Sequence, residues 1–289
     1  MENAIKRTLV DLELADESTI VPYYPRVRDR EDIGVLRDET SGVIFLDRSD
    51  HMDISHYEKV QGGTYWGAKD RKEALVKYRE DDARRANQFA TYIADRDFVD
   101  VGCGTGGLLD LVKDLAKSVS GVEPQAFMRT ALQEEGLQMY RLANDLPPTR
   151  FDVAGLFHTL EHLTDPLGTL ADVKKTLRPG GLLIIEVPHA KDALLAIESF
   201  RALTLWSEHL ILHAHESLKK FLEIAGYKNI RIEGFQRYPL ANHIGWLVEG
   251  APSGQKKHAD LLSDKCDIKY SQLLKDMDKT DTLIAFAEV

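Results

Sequence analysis

Four glycines fall within six residues, Gly102, Gly104, Gly106 and Gly107, just after a carboxylate at Asp100. Glycine lets backbone come close to a ligand, and a helix opening after such a turn presents free N–H groups. Asp100 narrows the choice of ligand. A carboxylate beside the turn repels phosphates and suits a ligand that carries an ammonium group. A second carboxylate, Glu123, stands seventeen residues beyond Gly106, about where α/β nucleotide sites hold ribose hydroxyls. Its two acceptor oxygens match two neighbouring hydroxyl donors. Gly102, Gly104 and Gly107 also satisfy G-x-G-x-x-G, the dinucleotide fingerprint. A nicotinamide (NAD(P))-dependent oxidoreductase is therefore the competing enzyme. Cys103, inside the turn, reads as a small filler and not as a nucleophile.

The elements that must position these groups follow from apolar spacing. Phe98, Val99 and Val101 make a buried strand into the turn. Leu108, Val112, Leu115 and Ala116 give one face of a helix after it. Val119–Val122 reads as a second strand ending at Glu123, 125–136 as a helix, and Leu137–Leu142 as a short third strand. A polar side chain after that strand meets an adenine edge, and Asp145 is preferred to Asn144. Phe151–Phe157 is a fourth strand. Asp165 caps the next helix, with Pro166 as its first residue. Leu182–Val187 is a fifth strand, apolar almost throughout, as a strand covered on both faces should be. Ile230–Phe235 and Thr282–Val289 complete the set. Strands alternating with helices at this spacing predict an α/β, Rossmann-like, doubly wound, mostly parallel seven-stranded sheet. Residues 1–94 are expected to form an N-terminal cap. Residues 95–289 form the binding domain, with inserted segments 190–212 and 239–281. Within the cap, Tyr65 and Trp66 sit on a glycine-rich loop, where they cover a ligand or pack the N-terminal segment onto the core.

Composition excludes several classes. The chain has 289 residues, 43% of them hydrophobic, and a net charge of −10, which disfavours a nucleic-acid partner. Two cysteines cannot form a disulfide framework. No uninterrupted apolar run approaches the roughly 18 residues of a membrane span. The acidic opening MENAIKRTLVDLELADE lacks a signal-peptide core. A reducing, cytoplasmic setting is expected, with no membrane partner. Oligomeric state is left open.

The order VDVGCGTG, Glu123, FDVAGLFHTLEHLTDP and LRPGGLLIIEVP resembles the class I S-adenosylmethionine-dependent methyltransferases over about residues 95–235. The block WSEHLILHAHESLKKFLEIAGY resembles a subgroup that often methylates sugars, polysaccharides or natural-product scaffolds. The resemblance implies that S-adenosyl-L-methionine is the cofactor. It implies that Gly102, Cys103 and Gly104 lie against its methionine and ribose parts, Asp100 near its ammonium and Glu123 on its ribose. Asp145 would meet the adenine amine. Phe157 and His158 would line the cofactor near its sulfonium.

A sulfonium is already electrophilic, so the protein must align the acceptor and deal with its proton. His209 is the leading general base, with Glu208 to orient it, and His158 is the second candidate. Trp206, Asn242 and His243 are candidates for holding the substrate, a small or carbohydrate acceptor. The spacing of His209, His213 and His215 beside Glu216 invites a metal, but methyl transfer from this cofactor needs none, and none is assigned. A silent cofactor-binding protein is the remaining alternative.

Overall fold

The computed structural model describes residues 3–59, 68, 70–252, 254–258 and 263–289. Tyr65 and Trp66 lie outside them. The chain builds two sheets. The larger has seven strands in the order β10-β11-β8-β7-β4-β5-β6. In chain order these are β4 (Asp97–Val101), β5 (Ser118–Val122), β6 (Gln138–Tyr140), β7 (Phe151–Phe157), β8 (Leu177–Pro188), β10 (Lys228–Phe235) and β11 (Thr282–Glu288). The five from β4 to β8 run parallel. β11 is antiparallel to both β8 and β10. This is the predicted doubly wound, mostly parallel sheet. Among the described residues, no helix is long and apolar enough to cross a membrane.

Strand β4 can lie inside the sheet, between β7 and β5, because it is apolar on both faces. Phe98 and Val99 are fully buried and Val101 nearly so. The turn after it is tight. Gly102 has φ +79°, and a Cβ there would meet Thr159 Cγ2 at 2.6 Å. Gly102 N–H and Cys103 N–H both donate to Val122 O, at 2.8 and 3.0 Å, which ties the turn to the end of β5. Helix α4 spans only Gly107–Val112, shorter than its apolar spacing suggests. The chain has to return to pair Ser118 with Asp97, and Leu111 and Leu115 are left partly exposed. Helix α6 (Pro166–Thr176) opens as expected, with Asp165 Oδ1 accepting from Gly168 N–H at 2.9 Å.

The smaller sheet is antiparallel, in the order β1 (Ile20–Tyr24), β2 (Val35–Asp38), β3 (Ile44–Leu46), β9 (Ile211–Leu212). Its fourth strand comes from the segment that follows β8. The N-terminal residues and that segment are thus hydrogen-bonded into one sheet, as sequence order alone does not suggest. One apolar core continues from Ile5, Leu9 and Phe45 through Leu156 and Leu183 of the large sheet.

Helix α3 (Arg71–Ile93) lies beside α4 and carries Asp81, Asp82, Arg84 and Arg85 toward the ends of the parallel strands. Helix α2 (Ile54–Lys59) lies near the other end of the same cleft, with Tyr57 facing it. Helix α1 (Ala4–Asp11) opens the chain and α5 (Ala126–Glu134) joins β5 to β6; beyond β8 come α7 (Glu198–Thr204), α8 (His215–Ile224), α9 (Leu240–Glu249), α10 (Gly254–Lys257) and α11 (Asp264–Asp276).

The Gly102→Ala variant is expected to lose about 2–4 kcal/mol of stability, from left-handed strain and overpacking on Thr159. A urea midpoint equal to that of the parent chain would contradict this.

Candidate active site

The carboxyl ends of β4, β5, β7 and β8 open into a cleft, the usual ligand position of such sheets. It has two lobes that meet at Gly102 and His158. The larger, about 670 Å³, is lined by Asp82, Arg85, Asp100, Cys103, Phe157, His209 and Asn242 among others. The smaller, about 280 Å³, is lined by Tyr57, Glu123, Ala143, Asn144 and His162.

Asp100 and Glu123 flank the turn from opposite lobes. Both are buried, at 5% and 4% exposure. Burial pushes Asp100 up to about 7; Arg85 opposes this while Asp82 and Glu123 add to it. Burial also raises Glu123 to about 7, against the backbone N–H groups it accepts from. Those are Gln125 N–H at 2.8 Å and Gly104 N–H at 3.0 Å. Carboxyls held near neutrality by desolvation are poised for a ligand that favours their charged form. Cys103 lines the larger lobe, but burial drives its thiol well above the usual range. It stays neutral, as a filler should.

The far wall is organised by Glu186, the one acid in the apolar run of β8 and fully buried. Arg84 Nη2 donates to Oε1 at 2.7 Å and Nη1 to Oε2 at 3.0 Å. Arg85 Nη2 donates to Oε1 at 2.8 Å. His158 Nε2 lies 3.2 Å from the same oxygen. On its other side, His158 Nδ1 is 3.1 Å from Glu161 Oε1. Burial opposes charge on this ring, yet the two carboxylates outweigh it and the His158 pKa is raised. His158 also has φ +52°, held by its N–H donating to Glu186 O at 2.8 Å. A ring whose two nitrogens both face carboxylates holds a proton more tightly than a free imidazole and has neither nitrogen to spare for an acceptor, which makes His158 a poor general base. Phe157 stacks on Phe89 with centroids 5.3 Å apart and faces Arg85.

His209 is in the opposite electrostatic state. Burial lowers it to about 3, so it is neutral near pH 7 with a lone pair free to accept. It lines the larger lobe, edge-on to Trp206 at 5.5 Å and His162 at 4.9 Å. Trp206 lines the same lobe under the Arg28 guanidinium, 4.7 Å from its ring.

Several sequence candidates stand elsewhere. Glu208 does not orient His209. Its Oε1 is 2.9 Å from His56 Nε2, within a turn closed by His209 N–H donating to Trp206 O at 3.1 Å. Asp145 turns back on its own 3₁₀ turn, accepting from Leu142 N–H at 3.1 Å, while Asn144 lines the smaller lobe. Asn242 lines the larger lobe, but His243 is packed away between Tyr270 OH at 2.8 Å and Gln236 Nε2 at 3.1 Å. Both lie in a helix, α9. The His209, His213, His215 set is dispersed. His213 is buried with Nδ1 3.1 Å from Ser217 Oγ, and His215 pairs with Asp278. Glu161, His162 and His209 do bring ligand-type atoms within 4.8 Å of one another, as do His189, His215 and Asp278.

Residues missed in the sequence are Asp82, Arg85, Glu186, Asp192 and Asp281. Burial raises Asp192 to about 7, helped by nearby Asp281, and both line the larger lobe. Glu186 did leave a signal, a single charge inside LLIIEV.

Residues 70–232 match the family of the methyltransferase domain. Over 101 residues the chain is 32% identical to a "probable S-adenosylmethionine-dependent methyltransferase" of Mycolicibacterium smegmatis, covering 33% of this chain and 39% of that protein. It is 28% identical to the ubiquinone biosynthesis O-methyltransferase of Stutzerimonas stutzeri, covering 46% of this chain and 60% of that one. The chain spans about half the length of the curated relatives it matches. Among solved structures, a SAM-dependent methyltransferase from Archaeoglobus fulgidus superposes with a TM-score of 0.52 at 18% identity, over 73% of this chain and 94% of that one.

Glu186→Gln is expected to cost about 3–5 kcal/mol, because it leaves buried cations under-compensated. It should also lower the pKa of His158, read by histidine NMR. A His158 titration unchanged from the parent would contradict the clamp.

Proposed function

We propose, for a chain that belongs to the methyltransferase family, that it transfers a methyl group from S-adenosyl-L-methionine to a small, hydroxyl-bearing acceptor of carbohydrate type. The observation that carries this reading is the two-lobed cleft joined at Gly102, with Asp100 on one side and Glu123 on the other. In this reading the adenosine occupies the smaller lobe. Glu123 accepts from the ribose hydroxyls, and Ala143 and Asn144 face the adenine. The methionine end crosses Gly102, and Asp100 and Arg85 receive its ammonium and carboxylate. The bound cofactor supplies an electrophilic methyl group. The residues of this chain hold it, exclude water and manage the acceptor's proton.

The rest of the larger lobe suits the acceptor. Phe200, Trp206, Tyr238 and Trp246 offer aromatic faces, and Asp81, Asp192 and Asp281 offer acceptor oxygens. Apolar platforms with a few carboxylates match a sugar, which has C–H faces and hydroxyl edges. His209 takes the hydroxyl proton as the methyl arrives. Its low basicity is no obstacle, since a protonated ether oxygen is far more acidic than an imidazolium. His158, clamped between Glu161 and Glu186, positions the turn and does not serve as the base.

Two outcomes test this. With a panel of nucleotide sugars and glycans read by mass spectrometry, His209→Ala should bind cofactor normally. Its turnover should fall about 10²–10⁴-fold. Undiminished turnover would remove His209 from the mechanism. The second concerns pH. An ammonium group favours ionised Asp100, which in the free chain titrates at about 7. Below that pH binding must expel a proton, so cofactor affinity falls by up to about tenfold per pH unit. Above it, the dependence on Asp100 levels off. Calorimetry should show this slope in the parent and a shallower one in Asp100→Asn, where Glu123 alone remains to titrate near 7. A flat profile in the parent, or binding of NAD(P) in place of S-adenosylmethionine, would overturn the reading.

A further inference from the structure

Three segments meet beside the larger lobe: the loop after β8, the first turn of α8 and the loop leading into β11. His189 is 1% exposed there. Its Nδ1 lies 2.9 Å from Thr280 O. A carbonyl only accepts, so Nδ1 carries the ring proton and Nε2 is left as a lone pair. Nε2 is buried and has no hydrogen-bond partner among the described residues. It faces Asp278 Oδ1 at 3.5 Å. That oxygen is also buried without a hydrogen-bond partner among the described residues, and His215 Nδ1 lies 2.8 Å from it. Asp278 Oδ1 therefore stands between two imidazole nitrogens, and the buried His189 lone pair beside it is left unanswered, a cost that a shared cation would remove.

We propose that His189, His215 and Asp278 form a binding site for a divalent first-row transition cation, with Zn²⁺ as its representative. Their ligand atoms already lie within 4.8 Å of one another. Bonds of about 2.0–2.1 Å at a tetrahedral centre set ligand atoms roughly 3.3–3.5 Å apart; His189 Nε2 and Asp278 Oδ1 already stand at 3.5 Å, and His215 Nδ1, at 2.8 Å from that oxygen, has to open by a rotation of its side chain. Two imidazoles and one carboxylate favour zinc, cobalt or nickel over magnesium or calcium. The outer partners of such a site are present as well. Thr280 O fixes the His189 tautomer, and Lys191 Nζ holds Asp278 Oδ2 at 2.8 Å, leaving Oδ1 to face inward. The cation would pin the end of β8 to α8 and to the approach of β11. Since His189 lines the larger lobe, it would also fix that wall. This proposal does not rest on the methyl-transfer reading.

The test uses the full chain, with any affinity tag removed and trace metal stripped, titrated with Zn²⁺ by calorimetry and assayed for retained zinc by atomic emission. One zinc per chain is expected. His215→Ala and Asp278→Asn should each weaken binding at least about tenfold. Circular dichroism and thermal melts matching the parent without metal would show that the variants fold. No zinc retained by the parent would overturn the site and leave a simple proton-linked histidine–aspartate pair. Equal retention by the parent and both folded variants would overturn it too, by placing zinc elsewhere.

Discussion

The cleft depends on one buried anion. Glu186 sits in the middle of an apolar strand, and a carboxylate there is tolerable only if its charge is answered. Arg84 and Arg85 from α3 and His158 from the end of β7 supply the answer. The contact locks α3 against the sheet, and α3 in turn brings Asp82 and Arg85 to the ligand lobe. It also holds His158 in a left-handed conformation that would otherwise relax. Removing the anion would loosen three walls of the cleft at once.

That network sorts the titratable groups of the cleft by function. His158, between two acids, is raised in pKa; His209, buried against aromatic rings, is lowered. Asp100 and Glu123, desolvated without a full cation partner, hover near neutrality. Pairs of like side chains whose pKa values are pushed apart are how one fold places acids and bases at a single pH. Asp100 and Glu123 lie on the two sides of Gly102, and the neutral His209 shares the larger lobe with Asp100.

Much of this was legible in the sequence because it is local. The strand, glycine turn and helix around Asp100 announce themselves within about a dozen residues. Glu123 and the Asp165-Pro166 cap do the same. What escaped depends on contacts across the fold. Arg84 and Arg85 look like a solvated helix face until β8, about a hundred residues on, supplies Glu186. Glu208 beside His209 suggested a pair, but the turn they share brings Glu208 to His56, about a hundred and fifty residues upstream. Asp145 and Asn144 were adjacent polar options, and local capping took the first. The smaller sheet was hidden because Ile211–Leu212 is too short to signal a strand and pairs with residues far upstream.

The most direct measurement is a crystal structure of this chain grown with S-adenosylhomocysteine. We predict density that runs from Glu123 in the smaller lobe, over Gly102, to Asp100 in the larger, with its sulfur facing the His209 side. Density confined to one lobe, or a ribose away from Glu123, would contradict the account.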